Sequence, residues 1–296
     1  MNALLTELEN QPLVIELLAK CDFPLAGKKV SCAVSGGPDS MALLILAVAS
    51  GCEVTALHVD HSLRIGSEKE SQIVENLAKS LGANFISKTI RVEPGANLEA
   101  RARNTRYAVM PADVMTGHTA DDQAETVLIN LLRGAGLAGL SGMQRNQRHP
   151  ILALRRSQTH QLCHELKIEV VEDPSNMDKK FLRNRIRHEL IPLMDAISQR
   201  DVAAILDRQA DLFREDSMLL DDLAKTIDVT DAKLLAAAPI ALARRAIRHW
   251  LTEIYPPDAA TVERVLEVAR GTTLACEIGS NREVRRSQQR LQIITK

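Results

Sequence analysis

Between Lys28 and Gly134, short apolar runs alternate with segments of helical periodicity, and this alternation constrains the fold more than any other feature. The predicted strands are 30–34, 54–59, 84–90 and 114–116, and the predicted helices are 40–49, 68–81, 98–109 and 121–132. Strand and helix taking turns at this spacing form right-handed βαβ units, whose strands align in parallel. We therefore predict an α/β fold in which helices cover both faces of a parallel sheet.

After Pro150 this rhythm changes and the chain becomes mainly helical. A glycine-rich turn or loop is predicted at 134–142, and a helix starting near Leu182 should kink or end at Pro192. The remaining predicted elements are helices 157–166, 201–227, 240–254 and 259–269, and short strands 168–171, 274–278 and 291–294. We predict a catalytic domain over residues 1–195, then a linker helix and a small, mainly helical domain over 196–296.

The composition fits a water-soluble protein, with 45% hydrophobic and 25% charged residues and no apolar run of bilayer length. Five cysteines without a C-x-x-C pair, and no basic, apolar leader, predict a cytoplasmic protein without a membrane partner. The net charge of −1 hides a basic stretch between Arg133 and Arg187. That stretch indicates either local contact with a polyanion or solvated helix faces, and charge alone leaves both open.

The sharpest local motif joins the first predicted strand to the first predicted helix. It consists of Ser35, Gly36, Gly37, Pro38, Asp39 and Ser40. The glycines let the backbone approach a phosphate, and amide groups at the helix start can bind an anion. The loop is neither a Walker A nor a G-x-G-x-x-G motif. The alternative is an ordinary βα turn capped by Asp39 or Ser40.

This loop resembles the S-G-G-x-D-S loop of the N-type ATP pyrophosphatases, which have a Rossmann-like adenine-nucleotide fold. The resemblance implies that ATP is a substrate and that the 35–40 loop holds its β- and γ-phosphates. A second block, LHVDHSLR, follows the second predicted strand and resembles the lysidine synthases in this superfamily. It adds His58 and Asp60 as nucleotide-binding residues, while a metal role for these two and His61 is the less favoured alternative.

A third block, GHTADDQAET, opens the helix predicted at 121–132. Asp121 and Glu125 are four residues apart, so they share a helix face, and their hard oxygens suit Mg²⁺. The alternative is that these acids complement the helix dipole. The block resembles the signature of the lysidine synthase and tRNA thiolase branch, with Thr119 where a second histidine often stands. With Asp39, Asp121 and Glu125 are the predicted catalytic residues, and Asp121 and Glu125 the predicted Mg²⁺ ligands.

Two arginine-containing blocks narrow the resemblance to the tRNA(Ile)-lysidine synthase family. DPSNMD is followed by FLRNRIR, in which Arg183 and Arg187 share a helix face and Arg185 points away. The earlier block LEARAR is followed by Arg106 and Tyr107. The residues predicted to contact tRNA or lysine are Arg103, Arg106, Arg183, Arg185 and Arg187. His160, Cys163 and His164 share a helix turn, and packing is favoured over metal binding there.

The resemblance implies that the chain attaches free L-lysine to C2 of the wobble cytidine in the CAU anticodon of tRNA(Ile). ATP would be cleaved to AMP and pyrophosphate through an adenylated tRNA, with Mg²⁺ assisting. A tRNA thiolase is disfavoured by the missing C-x-x-C pair, and asparagine or GMP synthetases by the missing glutaminase domain. The alternative from another class is a nonenzymatic tRNA-binding or nucleotide-sensing protein with the same fold. A homodimer is a possible assembly of the chain.

Overall fold

The computed structural model describes Leu8, residues 10–60 and 67–90, Thr105, and residues 108–171 and 177–295. Contacts divide the chain into two compact units, Met1–Ala210 and Asp211–Lys296. The division falls inside one helix, so the predicted domain boundary after residue 195 stays a prediction. Within the described ranges, no helix is long and apolar enough to cross a membrane.

The first unit contains a four-stranded parallel sheet, which confirms the predicted fold class. Its strands lie in the order β3-β2-β1-β4. They are β1 (Lys29–Ala33), β2 (Glu53–Asp60), β3 (Asn84–Thr89) and β4 (Met115–Thr116). The helices before and between them are α1 (Pro12–Leu18), α2 (Pro38–Ala49) and α3 (Ser67–Ser80). Helix α2 packs against β1 and β2, and α3 packs against β2 and β3.

Helix α2 lies at the centre of the core, because every residue from Met41 to Ala47 is completely buried. A helix that is apolar on all sides needs neighbours on all sides. The sheet and α1 supply part of that cover, and the helix over 156–165 supplies more. The phosphate-loop motif leads directly into α2, so the rigid core fixes the position of that loop.

In the described part of the first unit, several helical segments follow the sheet before residue 199. They are α4 (Ala120–Leu132), α5 (Leu137–Leu140), α6 (Arg156–Glu165), α7 (Leu182–Arg185), a π-helical turn (Ile186–Leu190) and α8 (Ile191–Ser198). Pro192 does not end the helical path, because Leu190 and Ile191 before it keep helical dihedrals. It follows directly on the π-helical turn, a local irregularity that interrupts the regular α-helical hydrogen bonding there. The predicted glycine-rich loop contains the short helix α5.

The strand predicted at 168–171 is wrong. Ile168 N donates to Cys163 O and Val171 N donates to Gly36 O, and these isolated bonds do not build a strand ladder. The helix predicted at 98–109 lies largely outside the described residues.

Helix α9 (Val202–Lys225) leads into the second unit, whose core is formed by apolar residues of helices and a hairpin sheet. The helices are α10 (Ala232–Ala237), α11 (Ile240–Leu251) and α12 (Ala259–Arg270). The antiparallel strands are β5 (Ala275–Gly279), β6 (Arg282–Ser287) and β7 (Arg290–Thr295). Strand β6, with the sequence REVRRS, was missed because it lacks an alternating apolar pattern.

Candidate active site

The phosphate-loop motif forms a tight turn between β1 and α2. Ser40 Oγ accepts from the Ser35 amide at 3.1 Å and donates to Gly37 O at 2.8 Å. The Ser35 and Ser40 hydroxyls are 3.2 Å apart. Pro38 is the first residue of α2, where its fixed φ suits the helix start. The two serines therefore close the loop on itself and hold its backbone at the helix N-terminus.

Two glycines let neighbouring segments approach this loop closely. Gly36 has a φ of +93°, and a Cβ there would lie 2.6 Å from Val171 Cγ2. A Cβ on Gly117 would lie 2.7 Å from the Asp39 carbonyl oxygen. Residues 117 and 171 thus pack on opposite parts of the motif, and a larger side chain at Gly36 or Gly117 would displace it.

Helix α4 starts beside the loop with a buried cap. Asp122 accepts hydrogen bonds from the Thr119 amide at 2.9 Å and the Thr119 hydroxyl at 3.1 Å. Thr119 is completely buried and stands at the N-cap position of α4, where its hydroxyl donates to Asp122 and does not accept from the helix backbone. Before it, Thr116 Oγ1 lies 2.7 Å from Nδ1 of both His118 and His149.

Glu125 has no exposed surface and is surrounded by guanidinium groups. Arg183 Nε donates to Glu125 Oε2 and Arg187 Nε donates to Glu125 Oε1, each at 2.6 Å. Arg156 Nη2 donates to Glu125 Oε1 at 3.1 Å. The same three arginines lie 3.0 to 3.5 Å from Asp122 Oδ1. These contacts join α4 to α6, to α7 and to the π-helical turn.

Arg156 extends this group to the phosphate loop, because its Nε lies 3.5 Å from Asp39 Oδ2. The other oxygen of Asp39 accepts a hydrogen bond from the buried Thr159 hydroxyl. Three carboxylates and three guanidinium groups therefore form one network. We call it the acid–arginine cluster, and its members are Asp39, Asp122, Glu125, Arg156, Arg183 and Arg187.

Asp121 has a different set of partners from Glu125. Arg155 donates to its two oxygens at 3.0 and 3.1 Å, and the Arg156 amide donates to Oδ2 at 2.7 Å. Arg155 also donates to Asp201. The residue that shares arginines with Glu125 is Asp122, three positions before it, while the joint role predicted for Asp121 and Glu125 stays a prediction. On a helix, residues three or four positions apart lie on the same face, so Asp121 and Asp122 are both neighbours of Glu125. The positions of the arginines determine that Asp122 is the one that shares partners with it.

The three aspartates of the site have different electrostatic environments. Burial raises the pKa of Asp39, and the nearby Asp122 adds to this effect against the opposing Thr159 hydrogen bond and Arg156 charge. Burial also acts on Asp121 and Asp122, but the arginines outweigh it and lower the pKa of both. Among these three, Asp39 is the one whose negative charge is least compensated, which suits a residue that meets a cation.

The remaining sequence-predicted residues lie in several places. His58 is buried, with Nδ1 2.8 Å from Val34 O just after the end of β1, and its nucleotide contact stays a prediction. Asp60 ends β2 half-buried. Arg185 is exposed and donates to Glu189 Oε2 at 3.1 Å, on the side away from Glu125. Arg103 and Arg106 lie outside the described residues.

Magnesium binding at Asp121 and Glu125 stays a prediction, because both carboxylates are paired with arginines here. Among the described residues, no group of three or more histidine, cysteine, aspartate or glutamate side chains could hold a metal ion. Mg²⁺ commonly uses one or two carboxylates together with substrate phosphates and water. Asp39 fits that requirement best, since it adjoins the loop and keeps about a quarter of its side chain exposed.

Sequence reasoning missed Arg155, Arg156, Thr159 and Asp122 as members of the site. From the sequence, Arg155 and Arg156 stand out only as part of a basic stretch, and Thr159 lies in no recognised motif.

The glycine-rich tract over 134–142 packs against α4 through side-chain hydrogen bonds. Gln123 pairs with both backbone groups of Met143, at 2.9 and 2.7 Å, and Asn130 Nδ2 donates to Gly139 O at 2.8 Å. These bonds hold the tract against α4.

Comparison with known families gives two matches that together span most of the chain. Residues 10–194 match the PP-loop domain, and residues 231–292 match the TilS substrate binding domain. The first match contains the phosphate loop and every described member of the acid–arginine cluster. The second match lies within the second compact unit.

Similar proteins include curated tRNA(Ile)-lysidine synthases. The one from Nocardia farcinica is 40% identical over 248 residues, covering 78% of each chain, and the one from Mycobacterium bovis is 38% identical over 266 residues, covering 81% of this chain and 82% of the relative. Among solved structures, the U34-tRNA thiolase NcsA from Methanococcus maripaludis aligns with a TM-score of 0.52 at 14% identity, covering 70% of this chain and 80% of that one. This likeness supports the fold alone.

Proposed function

The chain belongs to the tRNA(Ile)-lysidine synthase family, and we propose that it converts the wobble cytidine of a CAU anticodon in tRNA(Ile) to lysidine. ATP and L-lysine are the other substrates, and AMP and pyrophosphate the products. The observation that supports this most is that Asp39 of the phosphate loop is also a member of the acid–arginine cluster, through its contact with Arg156.

The reaction has two bond-exchange steps. The C2 oxygen of the cytidine attacks the α-phosphate, an O–P bond forms, and the bond to the β-phosphate breaks to release pyrophosphate. The ε-amine of lysine then attacks C2, a C–N bond forms, and the C–O bond breaks to release AMP. The lysine ammonium loses one proton before it attacks and a second after the C–N bond has formed, so that the nitrogen on C2 keeps one. A carboxylate of the acid–arginine cluster is the proposed acceptor.

The residues of the site divide between phosphate binding and charge compensation. The 35–40 loop binds the pyrophosphate end of ATP through its backbone amides and serine hydroxyls. Arg156 lies beside Asp39 of the loop, and Arg183 and Arg187 share its partners Asp122 and Glu125. We assign to these three arginines the offsetting of charge that develops on the α-phosphate. When bound, Mg²⁺ would neutralise charge on the phosphate oxygens, and Asp39 would hold it beside the loop.

The arrangement favours separate roles for the arginines of α7 and the π-helical turn. Arg183 and Arg187 bind Glu125, whereas Arg185 is more than half exposed. We therefore assign tRNA backbone contact to Arg185, with Arg103 and Arg106 as further candidates. Arg183 and Arg187 are assigned to the active site itself, where they would bind the adenylate or the lysine carboxylate.

Arg185→Ala is expected to weaken tRNA binding and to reduce its dependence on salt by about one unit of slope, because one phosphate contact is lost. Arg187→Ala is the matched control on the other helix face, and its salt slope should equal that of the unmodified protein. The measurement is tRNA affinity at several salt concentrations. A reduced slope in Arg187→Ala with none in Arg185→Ala would reverse the assignment.

The whole reaction is tested by incubating the protein with Mg-ATP, labelled lysine and two transcripts, tRNA(Ile) and tRNA(Met), both with a CAU anticodon. Label should enter only tRNA(Ile), with one AMP and one pyrophosphate formed for each lysine attached. Pyrophosphate release without lysine incorporation would indicate that another nucleophile attacks the adenylated tRNA, such as the sulfur of a thiolase reaction. No pyrophosphate release with tight tRNA binding would favour a nonenzymatic role.

A further inference from the structure

Thr159 is a buried hydroxyl that no sequence motif identifies. It lies in α6, in the same turn as Arg156, and has no exposed surface. Its Oγ1 donates to Asp39 Oδ1, across 120 positions of sequence, and is also 2.8 Å from Arg156 O. A hydroxyl has one proton to donate, and an ionised carboxylate is the stronger acceptor. The contact with Asp39 is therefore the main hydrogen bond of this side chain.

Helix α6 contacts the start of α2 at three points along one face. Arg156 lies beside Asp39 Oδ2, Thr159 binds Asp39 Oδ1, and Cys163 Sγ is 3.4 Å from Pro38 O. The spacing 156, 159 and 163 places these residues on one side of a helix. Each oxygen of Asp39 thus has one partner on α6, and these two residues are three positions apart, so the contacts restrict rotation of the carboxylate and leave further lone pairs available.

We propose that Thr159 is a positioning residue that fixes the orientation in which Asp39 holds Mg²⁺ beside the phosphate loop. The inference rests on the proposed function, since it concerns the Mg-ATP complex used in adenylation. Hydrogen-bond partners of metal-binding carboxylates orient their ligands, and losing such a partner commonly costs 10- to 100-fold in metal affinity or activity. Arg156 alone cannot replace it, because that guanidinium also binds Asp122 and Glu125.

The test is ATP binding measured by calorimetry over a range of Mg²⁺ concentrations, without tRNA or lysine. Thr159→Val keeps the side-chain volume and removes the hydroxyl, so the Mg²⁺ concentration for half-maximal ATP binding should rise by about tenfold. Thr159→Ser keeps the hydroxyl and should stay within about threefold of the unmodified protein. An unchanged Mg²⁺ dependence in a folded Thr159→Val protein would overturn the proposal.

Two further measurements separate positioning from general support of the fold. In an Asp39→Asn background, Thr159→Val should add less than about twofold to the Mg²⁺ requirement, because its partner has already been altered. A full additional tenfold loss would mean that Thr159 acts elsewhere. Thr252→Val is the matched control, since the Thr252 hydroxyl donates to Arg248 O in the second unit at 2.6 Å. It should leave Mg²⁺ dependence unchanged.

If Thr159→Val does not fold, Thr159→Cys replaces the hydroxyl by a thiol that donates more weakly. The Mg²⁺ requirement of this variant should then fall between those of the serine variant and the tenfold loss expected for valine. A cysteine variant that equals the unmodified protein would overturn the proposal. Because these titrations need neither tRNA nor lysine, failure of lysine transfer would leave their outcome readable.

Discussion

Asp39→Ala is expected to reduce pyrophosphate release by at least about a hundredfold, because the site loses the carboxylate that adjoins the phosphate loop. Asp39 is also the aspartate in the site whose pKa is raised, mainly by burial, so ionising it costs more in the folded state than in the unfolded chain. A raised carboxyl pKa means that its charge lowers stability at neutral pH, and this cost fades as the pH falls. Loss of activity should therefore come without loss of folding.

The check combines a pyrophosphate-release assay with thermal unfolding at neutral pH. Asp39→Ala should melt within about 3 °C of the unmodified protein. Asp22→Ala, which removes an exposed carboxylate of the same unit, is the matched control and should retain full activity. Normal ATP turnover in a well-folded Asp39→Ala protein would remove Asp39 from the mechanism.

Glu125→Gln is expected to destabilise the protein by about 2 to 3 kcal/mol and to abolish activity. Removing the charge of Glu125 leaves Asp122 as the one carboxylate shared by the three guanidinium groups, with Asp39 beside Arg156 only. Loss of one partner from a buried ion pair is strongly destabilising. The arginine side chains are 20 to 27% exposed, so solvent screening reduces this cost below that of a fully buried pair. The side-chain amide introduced by Glu125→Gln would also place an N–H donor against the N–H donors of the arginines, where no hydrogen bond can form.

Glu189→Gln provides the matched control, because Glu189 pairs with Arg185 and Lys179 at the surface. Exposed ion pairs contribute little to stability, so the unfolding free energy of Glu189→Gln should stay close to that of the unmodified protein. Denaturant unfolding compares the two variants. Equal stability would show that Glu125 does not hold α4 to α7. If added Mg²⁺ restored activity to Glu125→Gln, the sequence-based prediction of a metal ligand would regain support over charge compensation.

The sequence by itself determined the features that depend on contiguous residues. The alternation of strand and helix periodicities was enough to predict the parallel sheet, because each periodicity indicates which residues of an element are buried. The motif over 35–40 predicted the phosphate loop in its correct context, because loop, strand end and helix start all lie within a few residues. The predicted orientation of Arg185 away from Arg183 and Arg187 is also confirmed, as it follows from helical spacing.

Only the tertiary structure decided which charged groups meet. Arg187 lies 62 positions after Glu125, and Thr159 lies 120 positions after Asp39. No local period carries information about such partners, so Asp122 was passed over in favour of Asp121. Burial was equally invisible for His58, whose polar side chain turned inward to bond Val34 O. Hydrogen bonds and ion pairs form between surfaces brought together by folding, and a linear pattern does not record which surfaces those are.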